Sequence, residues 1–93
     1  MAASREVIVR HKEGLHARPA VLFVQMASRF AGTITVENLT KGSAPVNAKS
    51  ILSVLAAAVQ MDDRVCMVAE GEDEEAAVAA LCELIQGNFS ETG

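Results

Sequence analysis

The chain is expected to adopt an α+β architecture, with helices packed on one face of a four-stranded sheet. Three features predict it. Short β-branched or alternating segments lie at 6–10, 33–37 and 64–69, and apolar residues recur every three or four positions near 17–30 and 74–85. Short links then join the pieces in the order β-α-β-β-α-β-α, which a two-layer packing of helices on a sheet satisfies.

Each element has a local cause. Glu6-Val7-Ile8-Val9-Arg10 is β-branched and reads as the first strand. The first helix spans 17–29: Phe23, Met26, Ala27 and Phe30 follow helical spacing, Pro19 suits a first turn, and Gly32 closes the region. Residues 33–37 alternate as a second strand. A turn-rich loop over 38–45 leads to a short third strand around 44–48, which Pro45 confines to an edge or a bulge. Ser50, a favoured capping residue, opens an apolar helix over 51–57. Asp62-Asp63 turns the chain into a fourth strand at 64–69. Glu72, Asp73, Glu74 and Glu75 suit the start of a last helix, whose Val78, Leu81, Cys82 and Ile85 share one face. Residues 88–93 are expected to fray. With no repeat and no linker, 1–93 reads as one domain.

Composition narrows the classes of function. Hydrophobic residues make up 51% of the 93 positions, enough for a core, and the absence of Trp and Tyr makes that core aliphatic. A net charge of −4 without stacking aromatics argues against nucleic acid. No apolar run approaches the ~20 residues that cross a bilayer, and no secretory signal precedes the first strand, so a cytoplasmic protein without direct membrane insertion is expected. Cys66 and Cys82 form no Cys-x-x-Cys pair, and two buried thiols in a reducing compartment fit them better than a redox or metal pair.

The most informative stretch is Gly14-Leu15-His16-Ala17-Arg18-Pro19-Ala20. Pro19 in a first helical turn puts His16 at or just before the helix N-terminus, where unpaired N–H groups and the positive end of the macrodipole favour an anion such as phosphate. Arg18 adds a planar donor fork suited to phosphate oxygens. A cation in a first turn opposes the dipole unless an anion is bound, so Arg18 itself points to a ligand. A histidine able to attack phosphorus, beside groups able to hold the product, suggests a phosphoryl carrier. His11 has no comparable setting. It is expected to be exposed, and it makes a poor metal site with His16. No metal or cofactor is expected.

On that segment, on Val46-Asn47-Ala48-Lys49-Ser50-Ile51-Leu52 and on Gly71-Glu72-Asp73-Glu74, the chain resembles HPr over nearly its whole length. HPr is the histidine-containing phosphocarrier of the bacterial phosphoenolpyruvate:sugar phosphotransferase system. The resemblance implies an open-faced β-sandwich with an antiparallel sheet. It implies that Enzyme I phosphorylates His16 on Nδ1 at the expense of phosphoenolpyruvate, and that the group passes to a IIA component of a sugar permease. Arg18 then stabilises the phosphate, helped by N–H groups near Ala17. Ser50 matches the serine that a dedicated ATP-dependent HPr kinase phosphorylates in some bacterial lineages. The short helix is apolar nearly all round, so Ile51, Leu52 and Leu55 are expected to form a docking patch, extended by Lys49, while Val54 faces the core. Such a carrier is expected to be a monomer and not a self-sufficient enzyme.

Three positions depart from the commoner pattern. The 38–45 loop is a few residues longer, Asp63 stands where many members have a turn glycine (read as a change of turn type), and Glu13 places an acid near the site. Two alternatives stay open: an HPr-like carrier in a nitrogen-related or dihydroxyacetone phosphorelay, and a regulatory binding protein controlled through Ser50.

Overall fold

A computed structural model describes residues 2–90. Its elements are β1 (Ala3–Ile8), α1 (Ala17–Ala27), β2 (Thr33–Asn38), β3 (Val46–Asn47), α2 (Ile51–Ala56), β4 (Arg64–Glu70) and α3 (Glu74–Gln86). The four strands form one antiparallel sheet in the order β1-β4-β2-β3. The three helices lie over one face, with α3 on β1 and β4 and α1 against both α2 and α3. This is the open-faced α+β sandwich expected.

Strand alternation sets the two faces. Val7, Ile34, Val36, Val65, Met67 and Ala69 are buried beneath the helices, as period-two geometry requires. The core is aliphatic apart from Phe23 and Phe89. On the opposite face Cys66 stands in register between Glu6 and Glu37. Burial pushes its thiol pKa up, and the two carboxylates add to the rise, which disfavours the thiolate. Both cysteines are free and half-buried.

β3 is only two residues long because Pro45 cannot donate to a ladder. At the start of α2, Ser50 Oγ accepts the Ser53 N–H at 3.3 Å. Ser50→Ala is therefore expected to lose about 1 kcal/mol, readable as a lower urea midpoint with an unchanged slope. At the start of α3 the acids divide their labour. Glu74 and Glu75 occupy the first turn, whereas Asp73 accepts the Ala31 N–H and ties the end of the α1 region to α3. Gly32 sits so close to Glu70 that a Cβ there would lie 2.1 Å from the Glu70 carbonyl oxygen.

Three expectations need correction. His11 is not exposed: at 2% exposure it is among the most buried polar residues, because the turn after β1 folds its ring inward against Phe89. The chain after Gly87 does not simply fray. Asn88–Ser90 make a tight turn with positive φ at all three residues, and Phe89 is 2% exposed. Residues 91–93 lie outside the described residues. Asp63 is no mere change of turn type. The positive φ, 74°, falls on Asp62 instead, and the buried Asp63 carboxylate accepts from Gln60 N (2.9 Å), Asn38 Nδ2 (3.2 Å) and Lys41 Nζ (2.5 Å). Asn38 also donates to the Ala57 carbonyl at 3.0 Å. This network pins the long 38–45 loop to the end of α2.

Candidate functional site

The site is built at the junction of the β1–α1 loop and α1. Gly14 has φ 61°, and a Cβ placed there would fall 2.1 Å from the Val59 carbonyl oxygen. Only a glycine lets the loop approach the segment after α2 this closely. Leu15, fully buried, donates its N–H to the same Val59 oxygen at 3.0 Å. The next residue, His16, is thereby presented at the surface as the N-cap of α1, with extended backbone (φ −129°, ψ 169°) and no side-chain capping bond.

The helix end beyond it is electropositive. Pro19 has no N–H, and Ala20 donates to the His16 carbonyl at 3.4 Å. The N–H groups of Ala17 and Arg18 therefore remain as donors without an intrahelical acceptor. No acidic residue lies in the first turn of α1 to offset the dipole. Arg18 is exposed, and its guanidinium has no ion-pair partner among the described residues. Ala17 has φ 52°, a left-handed conformation that costs a non-glycine residue of order 1–3 kcal/mol. The buried flanks Leu15, Pro19 and Ala20 hold it there. Backbone donors, an exposed guanidinium and an imidazole are thus gathered at one helix end.

The other predicted positions fall nearby in different ways. Val54 is buried, while Leu52 is 76% exposed and Ile51 and Leu55 are about half as exposed, at 37% and 36%. The apolar patch expected on α2 is thus at the surface. Two further large apolar side chains are exposed, Val21 on α1 (45%) and Met61 after α2 (51%), which sequence reasoning missed. Val21 is one turn from Arg18 and lies off the stripe of Ala20, Phe23 and Ala27 that α1 buries. That offset is the signal that could have found it. Met61 carried no such signal, because its exposure depends on the turn beyond α2.

Lys49 is half-buried and its ammonium donates to the Phe30 and Gly32 carbonyls at 2.5 and 2.7 Å. These two bonds tie the α1–β2 connection to the residue before the N-cap of α2. Ser50 sits at the start of α2, the end away from the Val59 contact with the His16 loop, roughly 9 Å along a helix of six residues. The structure therefore brings His16, Ala17 and Arg18 together at the N-terminus of α1, and sets Ser50 directly before Ile51 and Leu52 at the start of α2. Among the described residues no three His, Cys, Asp or Glu side chains gather as metal ligands, and no helix is long and apolar enough to cross a membrane.

Comparison with known proteins identifies the family. The family profile described as PTS HPr component phosphorylation site matches residues 3–87. The phosphocarrier protein HPr of Treponema pallidum is 44% identical over 87 residues, covering 94% of this chain and 96% of that protein. The HPr-like protein Crh of Bacillus subtilis is 44% identical over 82 residues, covering 88% and 93%. Among solved structures, HPr-C-His from Thermoanaerobacter tengcongensis superposes with a TM-score of 0.92 at 43% identity, covering 98% of this chain and 99% of that one. With a family match from the first strand to the last helix, and relatives of similar length that share the fold, the chain belongs to the HPr family of phosphotransferase-system phosphocarriers.

Proposed function

We propose that this protein is a cytoplasmic, monomeric phosphocarrier of a single domain, which accepts a phosphoryl group on His16 from phospho-Enzyme I and passes it to IIA components of sugar permeases. The observation that carries the reading is the N-terminus of α1. A surface imidazole without a capping bond stands there beside open N–H groups. Arg18 has no ion-pair partner among the described residues, and the first turn holds no acid. A lone pair on the His16 ring attacks phosphorus in line. The new N–P bond forms as the donor's bond to phosphorus breaks, and the reverse exchange delivers the group to the acceptor protein. Arg18 and the Ala17 N–H stabilise the transferred oxygens. Ala17 and Arg18 are exposed and His16 is half-exposed, which suits a nitrogen that two different proteins must reach in turn.

Docking is assigned to Lys49, Ile51, Leu52 and Leu55, the last three exposed on α2. Ser50 is the regulatory position. Its phosphorylation by an ATP-dependent HPr kinase would set about two negative charges beside this apolar surface and repel acidic or apolar partners. The test is incubation with phosphoenolpyruvate and a bacterial Enzyme I, read by intact mass. Wild type is expected to gain one acid-labile phosphoryl group and His16→Ala none. A folded wild-type protein that gains nothing from the Enzyme I of its own source sinks the carrier reading.

A further inference from the structure

Outside the candidate site the molecule buries an imidazole that phosphoryl chemistry at His16 does not use. His11 Nδ1 accepts the Glu13 N–H at 3.0 Å, and the His11 carbonyl accepts the Gly14 N–H at 2.9 Å. One residue thus folds 11–14 into a turn with both its ring and its backbone. The turn delivers Gly14 to the Val59 carbonyl, Leu15 to its buried position, and His16 to the N-cap of α1. On its other side the ring meets Phe89 edge-on, with centroids 5.9 Å apart and planes at 82°. Phe89 is held in the positive-φ turn at Asn88–Ser90, so the end of the described chain clamps the ring from a site remote in sequence.

Nδ1 accepts a hydrogen bond only while that nitrogen carries no proton. The ring therefore serves as an acceptor for a backbone N–H two residues on, a bond that an asparagine side chain can also make and a leucine cannot. We infer that His11 is a positioning residue for the reaction at His16. Its bond to Glu13 and the Phe89 clamp hold the turn from which the phosphoacceptor is presented. The inference rests on His16 being the phosphoacceptor. A nucleophile in a near-attack arrangement loses rate steeply with small displacement, which gives the turn its effect on chemistry without any contact with the phosphoryl group.

The test uses phosphoramidate, a small donor that phosphorylates histidine as its P–N bond breaks and ammonia leaves, with the product localised to residue 16 by peptide mass. Wild type, His11→Leu, His11→Asn and Phe89→Leu are compared after circular dichroism has verified their folds. His11→Leu is expected to react about tenfold more slowly, and His11→Asn within about twofold of wild type. Phe89→Leu should fall between. With Enzyme I as donor, the kcat of the His11→Leu protein should drop while KM holds, because the patch on α2 is untouched. Wild-type rates for His11→Leu overturn the inference, as does an asparagine variant as slow as the leucine one. Should His11→Leu fail to fold, Phe89→Leu decides: a wild-type rate there overturns the inference. A protein labelled at His16 by phosphoramidate but never by Enzyme I would remove the carrier reading, while the ranking of the His11 variants would still decide the positioning role.

Discussion

Gly14→Ala is expected to lower the stability of the protein by about 3 kcal/mol or more. Two costs add. A side chain at φ 61° carries the left-handed penalty of about 1–2 kcal/mol, and its Cβ would lie 2.1 Å from the Val59 oxygen and 2.7 Å from Gln60 Cα. Both neighbours are backbone, so relief requires moving the loop away from the segment after α2 and stretching the Leu15–Val59 hydrogen bond. Domains of this size hold only about 5–15 kcal/mol in all, and each kcal/mol is about 4–8 °C in Tm, so thermal unfolding should fall by roughly 12 °C or more. Gly42→Ala is the internal control. Its φ is 69°, but nothing lies within 4 Å of the position a Cβ would take, so only the conformational term of about 1–2 kcal/mol applies. Equal Tm losses for the two variants would show that close approach at Gly14 contributes nothing.

Asp63→Ala should cost about 2–3 kcal/mol at neutral pH, because it strips an acceptor from Gln60 N, Asn38 Nδ2 and Lys41 Nζ together. Part of that cost arises from donors left buried, and part from freeing the 38–45 loop. The effect has a pH signature. Burial alone would push the Asp63 carboxyl pKa up, but the hydrogen bonds from Gln60, Lys41 and Asn38 and the charge of Lys41 outweigh it, so the folded-state pKa lies below the ordinary value. A carboxylate with a depressed folded pKa contributes stability above its unfolded pKa of about 3.9 and loses it as pH falls through the folded value. Urea unfolding should therefore show a full gap between wild type and Asp63→Ala near pH 7, narrowing only below about pH 4. A gap of constant size across that acid range would mean that the carboxylate's charge plays no part.

Asp63 also marks where sequence reasoning stops. Asp63 reads as a turn residue because, locally, it is one. Its burial comes from Asn38 and Lys41, more than twenty positions earlier, folding over the end of α2. The same holds for Lys49. Its position beside Ser50 gives no hint of the Phe30 and Gly32 carbonyls, 19 and 17 positions away, that its ammonium reaches.

Local physics was enough to read most of the fold and the placement of the central residues of the candidate site. Hydrophobic period distinguishes β2 and β4 from α1 and α3. Pro19 sets the start of α1, and Ser50 the start of α2, through the backbone groups each leaves or satisfies. The placement of His16 and Arg18 at the start of α1 was legible for the same reason, since Pro19 marks a first helical turn whatever the rest of the chain does. His11 and Phe89 were not. They lie 78 positions apart, and neither periodicity nor capping chemistry reaches across such a distance. Their contact exists because β1 and the end of α3 meet at one corner of the sheet, and only the packed structure brings that corner together.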